Sequence, residues 1–203
     1  MEKNNNNELK FSEKTKKTYN KIIKCAKKEF SNRGYSNTSI HSIAKKANLS
    51  VGCLYKYFSS KDELYNFIIT SEQNKIKKFI NEAIKDCSTR QEKEKEGLRA
   101  WLTYVKDNHG VYRLIWETLF IDQDAFDAYY INFAKSYAKS LSLDKNDLNT
   151  EDLLNLSYAL IGISNFLGIR LLNNKNTISE EEINQMVETG YNLITNGILI
   201  NKV

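Results

Sequence analysis

Between residues 8 and 64, thirteen basic side chains (Lys10, Lys14, Lys16, Lys17, Lys21, Lys24, Lys27, Lys28, Arg33, Lys45, Lys46, Lys56 and Lys61) stand against five acidic ones, a balance of +8. Residues 65–203 hold 16 basic and 19 acidic side chains, a balance of −3. Cations gathered in this way do electrostatic chemistry, because each one set beside a phosphate releases condensed counterions, and they point to a polyanion as partner. Charge alone leaves a plain solvated lysine face equally open. Covalent chemistry finds few groups to work with. His41 and His109 are preceded at three residues by Thr38 and Lys106, so neither builds the Glu-x-x-His pair of a di-iron bundle. The chain has no G-x-x-x-x-G-K-[ST] phosphate loop and no G-x-S-x-G elbow. Cys25, Cys53 and Cys87 form no C-x-x-C pair. The expectation is a protein that is not an enzyme, with no cofactor and no metal ligands.

The second chemically suggestive group is aromatic. Ten of the 23 aromatic residues fall between Trp101 and Tyr137. At helical spacing such a stripe is core material first, and a pocket wall second.

The elements that must position these groups are helical. The 203 residues include no proline and only 8 glycines, which disfavours a turn-rich sheet protein, and 41% hydrophobic content suffices for a core. Tyr19, Ile22, Ile23, Ala26 and Phe30 recur at three and four residues between lysines, predicting a helix from Ser12 to Arg33 that Gly34 ends. Asn37-Thr38-Ser39 offers caps for a short helix bearing Ile40, Ile43, Ala44 and Ala47, and Ser50 starts another bearing Leu54, Tyr57 and Phe58. Ser60 with Glu63 reads as a capping box for a long helix reaching almost to Cys87, and Ser88-Thr89-Arg90-Gln91 as the next box. Helices are further expected at 111–120, 124–141, 150–172 and 179–198, the last opened by Ser179 with Glu182, for about nine in all. The most apolar stretch, Leu153 to Leu172, is interrupted by Asn155, Ser157, Ser164, Asn165 and Arg170, and no membrane span is expected. The polar, asparagine-rich start reads as a frayed tail rather than a signal peptide, and the expected location is cytoplasmic.

Two short helices across a tight turn, flanked by packing helices, have the spacing of a helix-turn-helix. The residues Thr38-Ser39-Ile40, Ile43-Ala44, Ala47-Asn48-Leu49-Ser50, Gly52, Leu54-Tyr55-Lys56-Tyr57-Phe58 and Lys61-Asp62-Glu63-Leu64 make the pattern specific. Over roughly residues 12–64 the chain resembles the DNA-binding domain of the TetR (tetracycline-repressor-like) family of bacterial transcriptional regulators. That resemblance implies an all-α homodimer: a disordered tail at 1–11, a three-helix DNA-binding domain at 12–64, and a ligand-binding and dimerisation domain at 65–203. It further implies a repressor released from double-stranded operator DNA by a small apolar or aromatic effector. Family members usually carry glycine where this chain has Asn48, which tolerates the left-handed backbone next best.

Carried over, the resemblance makes Thr38, Ser39 and Ser50 helix-start groups near phosphates and Tyr55, Tyr57 and Lys61 backbone contacts. Val51, Gly52, Cys53 and Lys56 become the candidates for base readout. The pocket is expected to be lined by Trp101, Tyr104, Trp116, Phe120, Tyr130 and Phe133, with Arg99, His109, Arg113 or Glu117 as a polar anchor. The dimer face is expected at Ile163, Phe166, Leu167, Met186, Val187, Leu193 and Ile194 on the last two helices. Two alternatives stay open: a helical adaptor, and a redox-responsive regulator working through Cys53 without a small-molecule pocket.

Overall fold

A computed structural model describes residues 13–144, 148–173 and 178–196. Among these residues the chain is all-α, with nine helices and no strand. They are α1 (Glu13–Arg33), α2 (Ile40–Lys46), α3 (Val51–Tyr55), α4 (Lys61–Ile84), α5 (Arg90–Asp107), α6 (His109–Ile121), α7 (Gln123–Leu141), α8 (Thr150–Asn173) and α9 (Glu180–Asn196). The expected tail at 1–11, the helix start at Ser12 and the last two residues of the helix expected to end at 198 lie outside the described residues. The chain divides into two compact units, Met1–Ile68 and Ile69–Val203.

In the first unit the apolar stripe of α1 supplies Ile22, Ala26 and Phe30, all fully buried, and α2 and α3 close over it with Ile43, Ala44, Ala47 and Leu54. Leu64 and Tyr65 complete this core, Tyr65 meeting Phe30 edge-on at 5.2 Å. Each such side chain contributes about 1.5–3 kcal/mol by leaving water, enough to order helices of seven and five residues that could not form alone. One charge is enclosed with them. The Glu29 carboxylate is buried on α1 and bonded to Lys46 at the end of α2, with Arg33 at 3.5 Å. The Lys46 hydrogen bond holds its carboxyl below the usual value.

In the second unit α5 packs against α8 and α9, and α7 against α6 and α8. The core joins Leu98, Trp101, Leu102 and Val105 of α5, Val111, Tyr112 and Ile115 of α6, Leu171 of α8 and Ile183, Met186 and Val187 of α9. Met186 and Val187 are thus corrected from dimer-face candidates to core residues of their own chain: one face of α9 is spent on α5. By length and composition Thr150–Leu172 reaches the range of a membrane-crossing helix. One face of it packs in the bundle, where buried Ser157 donates to the Leu153 carbonyl at 2.8 Å and the Asn165 backbone carbonyl accepts from the Tyr112 hydroxyl at 2.8 Å, while Asn155 and Arg170 are exposed.

Cap chemistry sets the boundaries. The box opening α5 is Thr89 with Glu92, one residue beyond the expected register, whereas Ser179 with Glu182 opens α9 as read. Ser60 accepts from the Glu63 N–H, but the Glu63 carboxylate reaches back to Ser59 rather than Ser60. The break between α5 and α6 is one residue, Asn108, so α6 starts two residues earlier than its apolar pattern suggested.

Candidate functional site

The α2–turn–α3 unit is built from its caps inward. Ser39 caps α2 by accepting from the Ser42 N–H at 3.1 Å, and Ser50 caps α3 by accepting from the Cys53 N–H at 3.1 Å. Between the helices Asn48 takes φ 53°, the left-handed turn for which it was read. Leu54 points fully inward, which forces the opposite side of α3 out: Ser50, Gly52 and Lys56 are exposed, Tyr55 is 50% exposed, and Val51, Cys53 and Tyr57 are half-buried. Nothing lies within 4 Å of the position a Cβ would take on Gly52.

Two candidate phosphate contacts are instead engaged internally. Thr38 is buried, its hydroxyl donating to the Gly34 carbonyl at 2.7 Å, and Ser39 rather than Thr38 is the cap of α2. Lys61 donates to the Tyr35 and Thr38 carbonyls at 3.2 Å each and sits 3.8 Å over the Tyr35 ring. Both residues pin the segment between α1 and α2; Thr38 is enclosed there, whereas Lys61 stays half-exposed.

The second unit encloses a cavity of about 180 Å³ between α4, α5, α7, α8 and α9. Of the six expected lining residues it includes Trp101, Tyr130 and Phe133. Tyr104 is packed in the core, donating at 3.1 Å to buried Glu72, and Trp116 packs on the core against Tyr112 and Phe126. Phe120 is 88% exposed near the end of α6. None of these three lines this cavity; on α6 the inward face falls on Tyr112, Ile115 and Thr118, and Phe120 lies off that face.

The apolar walls of the cavity include Leu98, Trp101, Phe133, Leu160, Ile161 and Ile194. Its polar groups include Arg90, Lys93, Glu94, Tyr137 and Ser140, with Tyr137 packed beside Leu160 and Ile194. Glu94 accepts from both Arg90 and the Tyr137 hydroxyl, and Arg90 also donates to Ser140 at 3.1 Å. Burial raises the Tyr129, Tyr130 and Tyr137 phenols well above their ordinary range, and beside Tyr137 the Glu94 charge adds to the effect. None of the expected anchors lines this space: Arg99 bonds Asn184, Arg113 lies 3.5 Å from Glu117, and His109 is not among the walls.

Residues 22–67 match the family described as bacterial regulatory proteins, tetR family. The match spans α2, the turn and α3 together with parts of α1 and α4. The chain is 24% identical over 102 residues to the HTH-type transcriptional activator FasR of Mycolicibacterium smegmatis, covering 50% of this chain and 47% of that protein. It is 44% identical over 57 residues to the HTH-type transcriptional regulator HbdR of an Aromatoleum strain, covering 26% and 25%. The chain thus aligns with about half or less of the length of these curated relatives. Over nearly its whole length it shares its fold with FadR, a fatty acid degradation regulator of Bacillus halodurans (TM-score 0.76, 15% identity, 90% and 96% covered). The fold is shared equally with FadR of Bacillus subtilis, solved in complex with stearoyl-CoA (TM-score 0.71, 16% identity, 89% and 99% covered).

Among the groups at the cavity, the sequence pattern did not single out Arg90, Lys93, Glu94 and Asn165. Arg90 and Glu94 are spaced as an ordinary solvent-side ion pair, so their reading gave no hint of an enclosed site. Asn165 did carry a signal, an amide on an otherwise apolar helix, and its side chain lies 3.5 Å from the Tyr130 hydroxyl beside the cavity. Of the remaining dimer candidates, Phe166 is 71% exposed, Ile163, Leu167 and Leu193 are half-buried, and Ile194 faces the cavity.

Proposed function

We propose that the protein is a cytoplasmic, ligand-responsive transcriptional regulator that binds double-stranded operator DNA as a homodimer. The observation that carries this reading is the outward presentation of the Ser50–Tyr57 segment, capped by Ser50 and turned by Asn48, in the part of the chain with a +8 balance. In this reading α3 enters the major groove. Ser39, Ser50, Tyr55 and Tyr57 contact the phosphate backbone, and Val51, Gly52, Cys53 and Lys56 lie nearest the base edges. Tyr158, Ile163, Phe166 and Leu193 supply the exposed or half-exposed apolar surface of the dimer face.

The cavity is the effector site. An effector that favours one arrangement of the subunits shifts the distance between the two recognition helices away from the roughly 34 Å between successive major grooves, releasing the operator. Repression is the default for such a device, although one relative carries the name of an activator.

The test is selection from a random-duplex pool with the purified full-length protein, followed by anisotropy titrations at about 50 and about 200 mM salt. The expected result is enrichment of a two-fold symmetric site whose affinity falls steeply with salt. Absence of any enriched site, with salt-insensitive binding, would overturn the proposal.

A further inference from the structure

We infer that the cavity takes a monocyclic aromatic carboxylate, its ring among Trp101, Tyr130 and Phe133 and its carboxylate beside Arg90 and Lys93. This rests on the reading of the cavity as the effector site.

The size comes first. An apolar cavity of about 150 Å³ holds benzene, and this one, at about 180 Å³, has room for a ring and a short polar arm. Drug-sized ligands occupy about 300 Å³ or more, so a long acyl chain cannot be held wholly within this space. The walls then select shape. Tyr129 meets Tyr130 edge-on at 5.1 Å and stacks near Phe133 at 6.1 Å, and Trp101 of α5 lines the same cavity. Edge and face contacts with such side chains favour a flat ring.

The polar groups set the charge. Both Glu94 oxygens are engaged, one by Arg90 and the other by Tyr137. Arg90 spends its terminal nitrogens on Glu94, on Ser140 and on Asp144 at 3.6 Å, but its buried Nε has no partner. Lys93 makes no ion pair among the described residues. A buried guanidinium N–H lacking an acceptor is a costly vacancy, and a second cation stands beside it. The unmet demand here is for a negatively charged acceptor: the nearby carboxylates, Glu94 and Asp144, are already paired with Arg90, so an amine would find two cations and no free acceptor, and an alcohol would answer only part of the demand.

The experiment titrates the full-length protein with 3-phenylpropionate, 3-phenylpropan-1-ol, 3-phenylpropylamine and palmitate, by calorimetry and tryptophan fluorescence. The acid is expected to bind about tenfold more tightly than the alcohol, with no binding of the amine or of palmitate. Lys93→Gln, on a partly exposed position, is expected to erase most of that preference while leaving the alcohol unchanged. Gly97→Leu fills the cavity from α5, where an added Cβ meets nothing closer than 3.7 Å, and is expected to keep helical circular dichroism while losing both ring ligands. Equal binding of acid and alcohol, tighter binding of the amine or of palmitate, or no effect of Lys93→Gln would overturn the inference. If none of the four binds to protein that still selects an operator, the inference falls and the regulator reading stands. If the acid binds as expected but no operator is selected, the reverse holds.

Discussion

Gly168→Ala tests the packing of the second unit at one atom. A Cβ at position 168 of α8 would lie 2.9 Å from the Tyr112 hydroxyl oxygen and 3.1 Å from two of its ring atoms. Tyr112 cannot simply swing away, because it is 1% exposed, its hydroxyl donates to the Asn165 carbonyl at 2.8 Å, and its ring meets Trp101 edge-on at 5.3 Å. Overpacking of this kind costs about 1–3 kcal/mol, and displacing the phenol from its acceptor adds about 1 kcal/mol or more. The expected loss of about 2–4 kcal/mol lowers the melting temperature of the second unit by roughly 4–16 °C. Tyr112→Phe removes the 2.9 Å contact and frees the ring to tilt. The double variant should therefore recover part of the loss, with a coupling of about 1 kcal/mol in a double-mutant cycle followed by near-ultraviolet circular dichroism. Gly162, six residues earlier, has nothing within 4 Å of its Cβ position, and Gly162→Ala serves as the control that does not destabilise. A Gly168→Ala melt within about 1 °C of the parent would refute the packing argument.

The remaining predictions concern the first unit. Lys56→Ala should cost about 1–3 kcal/mol on the preferred site and relax discrimination at one base position of each half-site, whereas uniform weakening on all duplexes would refute a base-readout role. Thr38→Val should cost about 1–2 kcal/mol of stability through the lost bond to Gly34, and operator affinity measured well below the melting temperature should stay unchanged. Glu29, whose folded carboxyl is held below its unfolded value of 4.5, contributes stability that is full above that pH and is lost as pH falls through the lower folded value. Glu29→Gln should lower stability at neutral pH and flatten this acid limb in melts between about pH 6 and about pH 3; an unchanged limb would remove Glu29 from the argument. Ser50→Ala should fray α3 at a cost of about 1 kcal/mol, with Ser50→Asn restoring the cap, read by hydrogen exchange at Cys53.

Much of this was legible because the relevant signals are local. Caps, three- and four-residue apolar spacing and the left-handed tolerance of Asn48 depend on neighbours a few positions away, and they delivered nine helices and the exposed side of α3. What stayed hidden was the direction of side chains whose partners are distant in sequence. Lys61 reaches back 26 residues to the Tyr35 carbonyl, and Tyr137 reaches 43 residues to Glu94. Met186 and Val187 look identical, in a pattern, whether an apolar face meets its own bundle or a second copy. Phe120 carries an aromatic ring at a position where α6 turns to solvent, and composition alone cannot assign a phase to a helix end.

In the proposed operator complex, the five-residue length of α3 limits how much text can be read. With Val51, Gly52 and Cys53 leading the helix, the usual two-pronged matches between amides or guanidiniums and purine edges are missing from the most forward positions. Under that proposal, discrimination among promoters falls on Lys56, on methyl contacts and on the bendability and groove width of the duplex. Such a reader tolerates single-letter variation at the centre of each half-site and is strict about the spacing between halves, so its targets should share an architecture more than a spelling.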